Sequence, residues 1–157
     1  MPSYYRDPDS PTPNVPRRVG VTALIERDGA ILVERRADSD ADEWAFIGGG
    51  LGEDEPLLAA LHREVREETG YEIAEATLFG VFSDPTRIIA YPDGNICRVV
   101  SIVFRVVPEG TGEPVLSEES REMRFVPRLE LGALEFWPAQ RPMRDALVAG
   151  ATGIVIA

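Results

Sequence analysis

The stretch GGLGEDEPLLAALHREVREETGY, residues 49–71, joins a glycine-rich loop to a helix signal. Proline is well tolerated in the first turn of a helix, and glycine is common just after its last residue. Pro56 and Gly70 therefore predict a helix over residues 56–69, with a loop over residues 48–54 before it. The fold is decided by this loop and helix, whose polar residues have a definite spacing.

Three glutamates of the predicted helix form one contiguous arc: Glu64, Glu67 and Glu68. At about 100° per residue, Glu68 falls inside the apolar stripe of the helix. Like charges at this spacing repel, and a carboxylate on the core side is costly unless it is paired. A Mg²⁺ ion would relieve both costs, because carboxylate oxygens are its ligands. The alternative is a solvated acidic face that Arg63 and Arg66 help to neutralise.

The spacing favours the metal site. Gly49 is followed after five residues by Glu55, and seven residues later by the run REVREETGY, residues 63–71. This pattern resembles the Nudix box, Gly-x5-Glu-x7-Arg-Glu-U-x-Glu-Glu-x-Gly-U, in which U is a bulky aliphatic residue. Every fixed residue type is present at its spacing, and Tyr71 is the one departure. The chain is therefore identified as similar to the Nudix hydrolase family.

The resemblance implies an α+β fold, an α/β/α sandwich with a mixed β-sheet between helices. It also implies Mg²⁺-dependent hydrolysis of a phosphoanhydride bond, with Mn²⁺ able to substitute. The substrate is then a nucleoside diphosphate linked to another moiety. ADP-ribose, dinucleoside polyphosphates and nucleoside triphosphates all meet this description, because the box binds the diphosphate and not the group attached to it.

The resemblance also implies a set of metal ligands. These are three carboxylates and one backbone carbonyl: Glu64, Glu67, Glu68 and Gly48. A carboxylate takes the proton from the attacking water in such chemistry. Glu64 is the expected base, and three glutamates of a downstream segment are rivals for this role: Glu118, Glu119 and Glu122.

Other box residues have supporting roles in the family. Arg63 and Glu55 match the pair that forms a salt bridge and fixes the loop on the helix, so both are expected to be required for catalysis. Gly49 and Gly50 are expected to bind substrate, because a backbone without a Cβ atom can approach phosphate closely.

Three arginines outside the box are further candidates for contact with phosphate or ribose: Arg35, Arg36 and Arg87. The first two end a predicted strand near the site, and the third follows the turn-forming residues 83–86. A surface or structural role is the alternative for each of them.

The composition limits the partners. The net charge of −11 disfavours binding to nucleic acid or to an anionic membrane. All 16 basic residues are arginine. No apolar run approaches the ~20 residues of a membrane span, and the single cysteine excludes an internal disulfide. A cytoplasmic protein with a small-molecule substrate is expected.

Residues 1–18 are rich in proline and predict an extended arm before a Nudix domain over residues 19–157. The arm is expected to be dispensable for the chemistry, and it is a candidate to wrap the partner in a homodimer. Two alternatives to a hydrolase share the fold: a non-catalytic nucleotide sensor, and a prenyl-diphosphate isomerase, for which Cys97 is a poor candidate nucleophile. Sensors usually lose box glutamates, whereas this chain keeps them.

Overall fold

A computed structural model describes residues 1–39 and 41–157. The strands are β1 Ser3–Tyr4, β2 Arg18–Arg27, β3 Ala30–Arg36, β4 Trp44–Ala45, β5 Ile47–Gly50, β6 Ile73–Phe82, β7 Ile88–Ala90, β8 Ile96–Pro108, β9 Ser120–Pro127 and β10 Val155–Ile156. The helices are α1 Leu57–Thr69 and α2 Arg141–Val148, with 3₁₀ turns at Arg128–Ala133 and Pro138–Gln140.

Strand β2 lies at the centre of a mixed sheet. It pairs in parallel with β8 and antiparallel with β5 and β3. Strand β8 pairs on its other side with β6 and β7, and β1 adds to the edge of β7. The sheet branches where one strand pairs with two others on the same side. Across the sheet, the strands follow one another in the order β5, β2, β8, β7 and β1.

The two faces of this sheet are covered by different helices. Side chains that alternate along β2, such as Val21, Ala23 and Ile25, pack with Leu61 and Val65 of α1. On the other face, a second cluster joins Leu24 of β2 to Met143 and Leu147 of α2, together with Phe46 and Phe136 from the connecting segments. A mixed sheet between helices is the predicted α/β/α sandwich, and the fold prediction is confirmed.

Helix α1 has the predicted limits. Pro56 is its N-cap, and Gly70 ends it with φ at 75°, a left-handed conformation that glycine adopts without steric cost. The predicted loop is different: Gly48–Gly50 belongs to β5, because it pairs with Gly20–Thr22 of β2. None of the helices in the described part of the chain has the length and apolar character of a membrane span.

Candidate active site

The glycines of β5 allow the helix to approach the sheet closely. A Cβ atom on Gly48 would collide with the backbone of Val21, and one on Gly49 would collide with the Glu64 carboxyl group. The absence of a side chain is therefore a steric requirement of the pairing with β2 at Gly48, and of the packing of α1 at Gly49. The result is that the carboxylates of α1 lie against bare backbone.

The three glutamates of α1 differ in exposure. Glu68 is 3% exposed and Glu64 is 9% exposed, whereas the side chain of Glu67 is 60% exposed. The Gly48 N–H donates a hydrogen bond to Oε2 of Glu68 at 3.2 Å. Glu64 and Glu68 are therefore buried against the glycines of β5, and Glu67 lies at the solvent-exposed edge of the same helix.

Arg63 connects the loop to the helix. Its Nε and Nη2 donate to the two carboxylate oxygens of Glu55 at 2.7 and 2.9 Å, and Nη2 also donates to the Gly50 carbonyl at 3.1 Å. Its Nη1 donates to Glu64 at 2.7 Å and to Glu67 at 3.3 Å. These bonds from Arg63, with a further bond from the Gly52 N–H, lower the pKa of Glu55 to about 2. Glu55 is therefore a fixed anion that orients Arg63.

A further buried carboxylate lies beside the site. Glu34 of β3 is 1% exposed and accepts a hydrogen bond from the Ser120 hydroxyl. Burial raises the pKa of Glu68 well above its ordinary value, and the negative charges of Glu34 and Glu64 raise it further. Burial also raises the pKa of Glu34 and of Glu64. These carboxylates therefore lie close together in a region with little solvent, where their negative charges repel one another.

The chemistry of these carboxylates and of the β5 backbone suits a hard divalent cation, because the available ligand atoms are all carboxylate or carbonyl oxygens. Positive charge placed among these carboxylates would offset their repulsion and their desolvation. Their arrangement is open, since Glu64 is tied to Arg63 and Glu67 is largely exposed. Among residues 1–39 and 41–157, no three acidic, histidine or cysteine side chains already form a closed metal-binding group.

A cavity of about 710 Å³ opens above these groups. Its acidic side is lined by Gly48–Gly50, Glu64, Glu68 and Glu119. It continues over β2 to an apolar side, where Ile89, Tyr91, Val99 and Trp137 form the wall. A volume of this size is typical of small-molecule sites.

A model of the NUDIX domain matches residues 16–147. The chain belongs to the Nudix family. It is 40% identical over 117 residues to a nucleoside triphosphatase NudI of Escherichia coli, a match that covers 70% of this chain and 82% of that protein. A nucleoside triphosphatase NudI of Escherichia fergusonii is 31% identical over 131 residues, covering 80% of this chain and 92% of that protein.

Solved structures agree with these relatives. The MutT NUDIX hydrolase of Burkholderia pseudomallei is 29% identical, with a TM-score of 0.64, and the match covers 83% of this chain and 95% of that one. The prediction of a Nudix-type phosphoanhydride hydrolase is confirmed at the level of the enzyme class. Nudix hydrolases generally use a divalent metal ion.

The structure places the predicted arginines of this Nudix hydrolase in different surroundings. Arg36 lines the cavity, where Asp38 holds its guanidinium by hydrogen bonds of 2.9 and 3.1 Å. Arg35 instead contacts Asp42 at 2.8 Å and lies over the Trp44 ring, on the outside of the cavity. Of the two, Arg36 is therefore the one placed to contact a ligand.

Arg87 lies in the cavity wall but is occupied by the protein itself. It is 1% exposed and donates four hydrogen bonds, to the carbonyls of Phe82, Val99 and Ala139 and to the Ser101 hydroxyl. Its guanidinium joins β6 and β8 to the segment before α2. The prediction that Arg87 binds substrate has no support in this geometry, because these bonds use four of its five N–H groups.

The structure also distinguishes the candidates for the catalytic base. Glu119 lines the cavity on the side of Glu64 and Glu68, and its negative charge raises the pKa of both. Glu122 lies 3.5 Å from Arg35, and neither Glu118 nor Glu122 is among the residues that line the cavity. The structure therefore brings together Glu64 and Glu119 as carboxylates able to accept a proton.

Several residues in or beside the cavity are absent from the sequence-based site. Glu34 follows the apolar run 31–33, and a lone acid at the end of a buried strand is a signal that could have found it. Met1 and Gln140 line the cavity itself. Their places depend on chain segments far apart in sequence, and no local pattern points to them.

The buried carboxylates predict how stability depends on pH in the metal-free chain. Burial raises the folded-state pKa of Glu34 and Glu68 above the ordinary 4.5. Each therefore contributes stability that is complete below the ordinary pKa and is lost as pH rises through the raised value. We expect the free energy of unfolding, measured by urea titration in chelator, to fall between about pH 5 and about pH 8.

Glu34→Gln provides the matched test of this pH dependence, because it removes one ionisation and keeps a similar shape. The fall should be smaller in this variant. An equal fall in both proteins, or a rise across the window, would show that these carboxyl groups do not titrate as described.

Proposed function

We propose that the chain hydrolyses nucleoside triphosphates in a Mg²⁺-dependent reaction that releases a nucleoside monophosphate and pyrophosphate. The observation that carries this proposal is a single cavity with two unlike sides. One side is bare glycine backbone and buried carboxylates, and the other is apolar and aromatic. The similarity to nucleoside triphosphatases at 31% and 40% identity supports this choice among phosphoanhydride substrates.

In the proposed reaction, Glu64, Glu67 and Glu68 would hold Mg²⁺ together with the Gly48 carbonyl. When bound, the metal ion polarises a phosphoryl oxygen and neutralises developing charge. Arg63 keeps Glu64 and Glu67 in place through its bonds to both, and Glu55 fixes Arg63. Gly49 and Gly50 let the backbone approach the phosphates.

The remaining residues move the proton and orient the substrate. A carboxylate, Glu64 or Glu119, accepts a proton from the attacking water while a new P–O bond forms. The P–O bond of the anhydride breaks, and pyrophosphate leaves with the electron pair of that bond. Arg36 lies in the wall of the same cavity as a positive charge for the phosphates or ribose. A homodimer and a cytoplasmic location stay predictions.

A panel of substrates tests this proposal. Nucleoside triphosphates, their deoxy forms, ADP-ribose and diadenosine tetraphosphate are incubated with the chain and Mg²⁺, and the products are separated by chromatography. We expect the highest kcat/KM for a triphosphate, with monophosphate and pyrophosphate as products. Reaction in ¹⁸O-labelled water shows which phosphorus atom is attacked.

The Glu68→Gln variant, prepared in the same way, serves as the control for contaminating phosphatases. A higher kcat/KM for ADP-ribose or diadenosine tetraphosphate than for every triphosphate would contradict the proposed substrate. Orthophosphate as the first product would contradict the proposed site of cleavage.

A further inference from the structure

Residues 1–4 are an ordered part of the fold. Strand β1 extends the sheet beyond β7, with Ser3 opposite Ile89 and Tyr4 opposite Ile88. The Ala90 N–H donates to the Pro2 carbonyl at 3.0 Å. The predicted arm therefore joins the sheet through its first four residues, because backbone pairing needs few apolar side chains.

The same residues contact the cavity wall. The indole N–H of Trp137 donates to the Met1 carbonyl at 3.2 Å, and the Ala139 N–H donates to the Ser3 hydroxyl at 3.0 Å. The Met1 nitrogen donates to the Asp38 carbonyl at 3.0 Å, and Asp38 is the residue that holds Arg36. Met1 also packs against the apolar cluster that contains Trp137. These contacts place Met1 in the lining of the cavity.

The part of the cavity that Met1 lines is distant from the carboxylates. Strand order runs from β5 through β2 and β8 to β7, so three strand spacings, roughly 14 Å, separate the glycine strand from Ile89. At this far side the Arg18 guanidinium lies 4.7 Å from the centre of the Tyr91 ring. An aromatic and apolar wall of this kind suits a flat heterocycle better than a polyphosphate.

We propose that residues 1–4 form part of the wall that receives the nucleobase, and that they determine how strongly this enzyme binds the nucleoside part of its substrate. The inference rests on the proposed function, since it assumes a nucleoside polyphosphate in the cavity. The matched NUDIX domain begins at residue 16, so these residues lie outside the region shared with the family model. The arm is thus a specificity-determining addition to the Nudix site.

Removal of residues 2–10 tests the proposal. This deletion keeps Asn14 and Val15, whose N–H groups donate to the Ile96 carbonyl. For the best triphosphate of the panel, we expect KM to rise by about tenfold, the size of a lost apolar pocket contact. We expect kcat to change by less than about threefold, because the carboxylates of α1 lie elsewhere. The inhibition constant of inorganic triphosphate, which has no nucleoside, should stay the same.

Two point variants complete the experiment. Ser3→Ala removes the acceptor of the Ala139 N–H and should raise KM in the same direction by about threefold, the value of one net hydrogen bond. If the truncated chain does not unfold cooperatively, and is therefore not properly folded, Ser3→Ala tests the proposal in its place. Asp9→Ala, at an exposed position of the same arm, is the matched control and should leave KM unchanged.

The outcomes separate this inference from the proposed function. Failure of the unmodified chain to hydrolyse any triphosphate would overturn the proposed function, and this inference with it. An unchanged KM in a folded variant lacking residues 2–10 would overturn only the inference. An equal loss of affinity for nucleotide and for inorganic triphosphate would also overturn it, because the arm would then act on the whole site.

Discussion

Replacement of Glu68 by glutamine is expected to lower kcat by at least about 100-fold, the lower end of what one catalytic electrostatic contact supplies. Glutamine preserves the size of the side chain and an oxygen that can accept the Gly48 N–H, so the packing under β5 is kept. It removes the negative charge that a cation would bind. Glu67→Gln should have an effect of similar size. Steady-state kinetics with a saturating triphosphate measure both.

The stability of the same variant distinguishes a lost ligand from a damaged fold. Ionisation of Glu68 is opposed by burial and by the charges of Glu34 and Glu64. Glu68→Gln should therefore hold or raise the free energy of unfolding of the metal-free chain at neutral pH. Glu72→Gln is the matched control, because Glu72 pairs with Arg66 on the surface. This variant should change neither the rate of hydrolysis nor the geometry of the site. A near wild-type rate for Glu68→Gln would remove Glu68 from the metal ligands.

Removal of divalent metal is expected to have the largest effect, a loss of at least about 100-fold in rate, since the metal supplies several kcal/mol of transition-state stabilisation. The carboxylates beside Gly48 would otherwise repel the phosphates of any substrate. Excess chelator should abolish hydrolysis, and added Mg²⁺ or Mn²⁺ should restore it. Activity that persists unchanged in chelator would mean that the buried carboxylates have another purpose.

Much of the site could be predicted from residues 49–71, because they form one local unit. Pro56 and Gly70 limit the helix, and the helical period alone places Glu64 and Glu68 on its inner side. The predicted Arg63–Glu55 pair is present, with two hydrogen bonds. Short-range periodicity and steric preferences determine all of these features.

What could not be predicted depends on contacts between distant segments. Gly48–Gly50 was expected to be a loop, and only its pairing with β2 makes it a strand. Arg87 is a residue type that often binds phosphate, but the packing of β6, β8 and the turn before α2 surrounds its guanidinium with carbonyl groups. Met1 reaches the cavity through β1, a strand of two residues with no sequence pattern of its own. Tertiary pairing decided each of these cases.

Metal and nucleotide are expected to bind together among the carboxylates of α1. At a net charge of −11, the chain as a whole repels a polyphosphate, although salt screens this repulsion beyond about 8 Å. Inside the cavity the carboxylates are too close for screening, so positive charge must accompany the phosphates. Binding energies are reciprocal, and each partner must therefore raise the affinity of the other by the same factor.

Calorimetric titration of a non-hydrolysable nucleoside triphosphate analogue, with and without Mg²⁺, measures this coupling directly. The intact chain should bind the analogue more tightly with Mg²⁺, and Glu68→Gln should lose most of that gain. Equal affinity of the intact chain in both conditions would contradict the metal-bridged site.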